Sequence, residues 1–157
     1  MYKALCSSLI CISLSGCLTF EAEPPLTPLE IQSIQQREYE SDKKIVFASA
    51  VSVFQDLGYT IKSADITTGF ITAESAAKNN LGAQVFFGYS EVKSTRATAF
   101  IEEIGSMVKI RLNFVNTVSR STEYGMNSKN ETALLNTQIY QNAFEKIESA
   151  IFIRSAN

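Results

Sequence analysis

Few residues of this chain have the chemistry for catalysis, and their spacing decides what each could do. Ser75-Ala76-Ala77-Lys78 sets a hydroxyl and an ammonium three positions apart, an arrangement in which lysine can help activate a serine nucleophile. Glu102 and Glu103 are adjacent carboxylates, the residue type used for general acid and base work. The chain has no histidine, and its three cysteines are Cys6, Cys11 and Cys17. Without imidazole, Ser-His-Asp and Cys-His catalysis are excluded, as are the usual zinc sites.

The two remaining candidates fail on context. The S-x-x-K pattern of penicillin-binding proteins and serine β-lactamases works with companion Ser-Asp-Asn and Lys-Thr-Gly motifs, and this chain has neither. The simpler reading of Ser75 and Lys78 is a strand end followed by a solvated loop lysine. Glu102 and Glu103 point to opposite faces if they lie on a strand. The calcium-loop, phosphate-loop and dinucleotide fingerprints are absent. Asn130-Glu131-Thr132 fits the glycosylation pattern and indicates an exposed loop. The expectation is a non-enzymatic protein without metal or cofactor.

The N-terminus is more specific. Lys3 supplies a positive charge, residues 5–14 are apolar apart from serines, and the run ends in Leu14-Ser15-Gly16-Cys17. That length suits a secretory signal and is too short to span a bilayer, which takes roughly 20 apolar residues. The pattern resembles the lipobox of bacterial lipoproteins. The resemblance implies that residues 1–16 are a signal peptide and that Cys17 becomes the acylated first residue. Each buried CH₂ contributes about 0.8 kcal/mol, so two or more acyl chains hold firmly. Leu18 stands where lipoproteins retained at the inner membrane commonly carry Asp, so the resemblance implies the outer membrane, with the domain facing the periplasm. Cys6 and Cys11 leave with the leader, so no disulfide is expected in the folded part.

Fourteen Lys and Arg stand against 16 Asp and Glu, a net charge of −2. This argues against nucleic acid as a partner, which needs a basic surface, and there is no polybasic patch for anionic lipid. Pro24, Pro25 and Pro28 fall in a polar segment, so residues 17–32 read as a semi-extended tether. At about 3.1 Å per residue it spans a few tens of ångströms. Residues 33–157 then form a single domain.

Within that domain, residues 33–40 read as a short strand. Ser41-Asp42 can cap a helix over 42–57, whose Val46, Phe47, Ala50, Val51 and Phe54 recur at helical spacing up to Gly58. Residues 59–64 and 70–75 read as a hairpin around a turn at 65–69. Residues 76–93 form a long connection, followed by a second hairpin on a Gly105-Ser106 turn. That turn sets Ile101 opposite Ile110, Ala99 opposite Leu112 and Ala97 opposite Phe114 on one face. On the other, Glu102 falls opposite Lys109, Phe100 opposite Arg111 and Thr98 opposite Asn113, giving a charge pair and a cation–π contact. Residues 119–134 read as a loop, after which Asn136 or Thr137 caps a last helix carrying Tyr140, Phe144, Ile147 and Ile151.

The expected fold class is α+β, a curved antiparallel sheet with two helices on one face, in the order β-α-β-β-β-β-α. With the lipobox and tether, this order resembles helix-grip domains such as those found in a lipoprotein component of the barrel assembly machinery. Residues 55–61 and 69–73 also look like uncharacterised periplasmic lipoproteins of Gram-negative bacteria, a likeness that carries no activity.

Two surfaces are candidate partner sites. On the outer sheet face, Arg96, Phe100, Lys109 and Arg111 form either a mixed aromatic and basic patch or a solvated face of ordinary cross-strand pairs. In residues 81–89, Val85, Phe86, Phe87 and Tyr89 are either an exposed contact patch or a segment packed on the core. The function expected is an accessory or scaffold subunit, held to the membrane through Cys17 and binding another envelope protein. The alternative is a lipid or small-molecule module using a cleft between sheet and helix.

Overall fold

The computed structural model describes residues 26–79, 89–122 and 127–156. Helix α1, Pro28–Gln35, begins on a capping box: the Thr27 hydroxyl accepts from Glu30 N–H, and the Glu30 carboxylate accepts from Thr27 N–H at 2.7 Å. Residues 28–32, expected to be extended tether, are therefore helical. Pro28 occupies the first helical turn, where its missing N–H costs nothing. The strand expected over 33–40 contracts to β1, Gln36–Tyr39.

Helix α2, Lys43–Asp56, starts where Asp42 Oδ1 accepts from Lys44 N–H at 2.6 Å. It stops at Leu57, ahead of Gly58 with φ +83°. Strands β2, Tyr59–Asp65, and β3, Phe70–Ser75, pair around a turn in which the Asp65 carboxylate accepts from Thr67 N–H at 2.8 Å and Thr68 Oγ1 at 3.0 Å. Gly69 closes that turn at φ +76°, and a Cβ there would lie 2.0 Å from Ile101 O. Only glycine fits.

Strand β4, Lys78–Asn79, precedes the sixteen-residue strands β5, Tyr89–Ile104, and β6, Met107–Thr122. Gly105 alone takes positive φ at their turn, as a glycine-first two-residue turn requires. The register is the expected one, with Ile101 on Ile110, Ala99 on Leu112, Ala97 on Phe114, Glu102 on Lys109 and Phe100 on Arg111. Most of the loop expected over 119–134 is strand. β6 runs on to Thr122 and pairs with β7, Asn127–Ala133. Every residue of β7 is exposed, so this strand is held by ladder hydrogen bonds and never shows the apolar alternation that marks a half-buried strand. The connection expected over 76–93 likewise contains β4 and the start of β5.

Helix α3, Thr137–Ser155, opens on Asn136, whose side chain accepts from Gln138 and Ile139 N–H. The fold is α+β: an open, curved antiparallel sheet in the order β1-β6-β5-β3-β2, with β4 beside β5 and β7 beside β6. Helices α2 and α3 bury Val46, Phe54, Tyr140 and Ile147 against Ile71, Ile101, Ile110 and Leu112 of one sheet face. Ile34 of α1 packs at the margin. No described helix is long and apolar enough to cross a membrane.

Candidate functional site

Because α2 and α3 share one face of the sheet, among the described residues the other face is left to side chains alone. On β3 and β5 the alternation that buries Ile71, Ala97, Ala99 and Ile101 turns Phe70, Arg96, Phe100 and Glu102 outward. Phe70 lies directly opposite Phe100, their ring centroids 4.7 Å apart and their planes inclined by 34°. Phe70 remains 55% exposed. An aromatic pair of this geometry is worth about 0.5–1.5 kcal/mol beyond its burial, yet here much of its surface still meets water.

The cation–π contact expected between Phe100 and Arg111 does not form. Arg111 also lies opposite Gln36 of β1. With the Gln36 amide oxygen turned toward it, that oxygen accepts from Nη2 at 2.6 Å and Nε at 3.1 Å. Phe100 stacks on Phe70 instead. Arg37 of β1 makes a cation–π contact on the helix side, 4.9 Å from the Phe144 ring centroid. Lys109 lies in register between Glu102 on β5 and Glu38 on β1. Neither carboxylate closes to ion-pair distance, so the expected Glu102–Lys109 charge pair is a register neighbour only.

Arg96 belongs to a separate cluster. Its Nη2 donates to Glu131 Oε1 at 2.6 Å, and Lys129 Nζ reaches the same oxygen at 2.8 Å. The hydrogen bonds from Lys129 and Arg96 hold the Glu131 carboxyl below its usual range. Thr117, opposite Glu131 on β6, is buried. Lys62 and Ser94 both approach Glu74 on the same sheet face. The structure thus pairs Phe100 with Phe70, sets Arg111 opposite Phe100 and Lys109 opposite Glu102 on the same face, and commits Arg96 to β7.

Phe70 does not stand out in the sequence. Its outward direction follows from the inward Ile71 beside it, but its partner depends on the pairing of β3 with β5. Of the second candidate surface, Val85, Phe86 and Phe87 lie outside the described residues, as does Cys17. Tyr89 opens β5 opposite Thr122.

Ser75 and Lys78 line a cleft of about 430 Å³ at the C-terminal end of α2, with Gly58, Lys93, Thr95 and Asn116. The Ser75 hydroxyl is committed to the backbone, accepting from Thr95 N–H at 2.8 Å. Lys78 stands on β4 opposite Lys93 rather than in a loop. Farther along β5, the buried Glu91 carboxylate meets Lys93 at 2.9 Å and Arg120 at 2.7 Å. These two contacts hold its carboxyl below the usual range. Among the described residues no group of three or more His, Cys, Asp or Glu side chains is placed to hold a metal ion.

No protein-family model matches this chain, and a search of curated proteins finds no match.

Proposed function

We propose that this chain is a lipoprotein anchored through Cys17 to the outer membrane, with a non-enzymatic periplasmic domain that docks another envelope protein on its uncovered sheet face. The observation that carries the docking surface is the Phe70–Phe100 pair, more than half exposed at Phe70 and flanked by Arg111. Aromatic and Arg side chains are enriched where protein interfaces concentrate their energy. The anchor rests on Leu14-Ser15-Gly16-Cys17 after a short apolar run. A photo-crosslinking residue at position 70 of the full chain, in cells, tests the reading. The expected result is one envelope protein captured at position 70, not at exposed position 146 of α3 on the helix side of the sheet, and lost with Cys17→Ala. Equal capture at both positions removes the docking surface from the reading.

The second reading, a small-molecule module, draws on the cleft at the end of α2. Its lining of Lys78, Lys93, Thr95 and Asn116 suits a polar ligand rather than an acyl chain, since sites for lipid are mostly apolar. Native mass spectrometry of the purified protein, with a retained metabolite as its positive result, tests it.

A further inference from the structure

Among the described residues, strand β7 has β6 on one side and no strand on the other. An unpaired edge of this kind is a template for another strand. The other outer edges are poorer templates. β1 has four residues, β4 has two, and β2 is interrupted by a bulge at Lys62. β7 offers seven residues in unbroken register, without Gly or Pro.

We infer that β7 pairs with β7 of a second copy of this chain, antiparallel about a two-fold axis through Asn130. The sequence Asn127-Ser-Lys-Asn-Glu-Thr-Ala133 is self-complementary in that register. Asn130 meets Asn130, Ser128 meets Thr132, and Lys129 meets Glu131 twice, once on each side of the axis. Opposite charges and hydroxyl pairs directly across a ladder are favourable, and like charges are not. A two-fold axis through Lys129 or Glu131 instead sets that residue against itself, so charge selects against both neighbouring registers. The ladder closes with either alternate set of N–H and C=O groups pointing outward, because every pair joins positions of the same parity.

Lys129 and Glu131 lie on the outer sheet face, where Glu131 already accepts from Arg96 and Lys129. In the pair, the Glu131 carboxylate of each copy also faces Lys129 of the other. A two-fold axis perpendicular to the sheet keeps both outer faces on the same side, so the two Phe70–Phe100 patches of the dimer look the same way. The interface is isologous and closed, one edge used by each copy.

The test is Asn130→Cys in the full chain, oxidised in cells and followed by mapping of the cross-linked peptide. Directly opposed antiparallel residues have Cα atoms about 4.5–5.5 Å apart, within disulfide reach. The expected product is a dimer bridged between position 130 of one copy and position 130 of the other. Adding Lys129→Glu, which sets two carboxylates face to face on each side of the axis, lowers its yield several-fold, and so does adding Glu131→Lys. Co-expressing the two charge variants restores an opposite charge to every like pair and brings the link back between unlike copies. Three results overturn the proposal: no dimer from a chain whose circular dichroism matches the parent, a yield indifferent to Lys129→Glu, or a link from position 130 to a different protein.

Discussion

The hydroxyl of Tyr140 on α3 accepts the backbone N–H of Phe114 at 3.3 Å, in the stretch of β6 that lies beyond β1 and short of β7. β1 pairs as far as Arg111, and β7 ends with Ala133 opposite Val115. Between them the edge of β6 is finished by Tyr140 and by Leu134 N–H, which donates to Phe114 O at 2.8 Å. The two rings meet edge to face at 5.2 Å. A helix side chain thus supplies a ladder bond that no described strand is there to make.

Tyr140→Phe keeps the ring and deletes that acceptor. Tyr140 is 1% exposed, so water does not replace the hydroxyl. The expected loss is about 1–3 kcal/mol, the cost of a buried donor left unpaired, read as a lower urea midpoint at unchanged slope. Tyr140→Ala, which also empties the ring site, is expected to cost about 3–5 kcal/mol.

The two turn glycines separate conformational strain from collision. Gly105 at φ +64° has open space where a Cβ would go, so Gly105→Ala should cost about 1–2 kcal/mol of left-handed strain alone. Gly69→Ala adds a collision with Ile101 O to the same strain and breaks the bond from Ile101 N–H to Gly69 O, 2.9 Å long. Thermal melts of the two variants should rank Gly69→Ala well below Gly105→Ala. Equal melting would show that the β3–β5 edge yields at no cost.

Phe70→Ser should be mild for the fold and severe for docking. The ring is half in solvent, and its contact with Phe100 is worth about 0.5–1.5 kcal/mol. The variant is expected to fold, with a melting temperature a few degrees lower, and to lose capture of the envelope partner by a crosslinker at position 100.

Acid should unfold the domain partly through Glu91 and Glu131. Both carboxyls are held below their ordinary value of 4.5 by hydrogen bonds from lysine and arginine. The unfolded chain therefore takes up their protons first. Their contribution is fully present above about pH 4.5 and is lost as pH falls through the lowered folded values. Glu91→Gln should lower the urea midpoint at pH 7, where Lys93 and Arg120 lose their shared counter-charge, and flatten the fall in stability below pH 4.5.

What the sequence revealed follows from where the signal is local. Asp42, Gly58 and the apolar spacing between them delimit α2, and Gly105 with two flanking alternations sets every pair of β5 with β6 around the core. β7 was hidden because Asn127–Ala133 is polar on both faces and reads as a loop. α1 was hidden because three prolines imply extension, although Pro28 can begin a helix. At the outer face, the Gly105 turn sets Arg111 opposite Phe100, but each takes its partner from a strand distant in sequence, Gln36 from β1 and Phe70 from β3. Those pairings arise from tertiary contacts that no local pattern encodes.

The long hairpin around Gly105 also dictates an order of events. Its pairs close outward from a two-residue turn, each within a short loop, so the two longest strands of the sheet come together at low entropic cost. β1 reaches β6 only across the intervening α2, β2, β3, β4 and β5, a contact of large sequence separation. Folding should begin at the β5–β6 turn and end with the docking of β1 and α1. Substitutions at Gly105 should then slow refolding, while those at Ile34 or Tyr39 chiefly hasten unfolding.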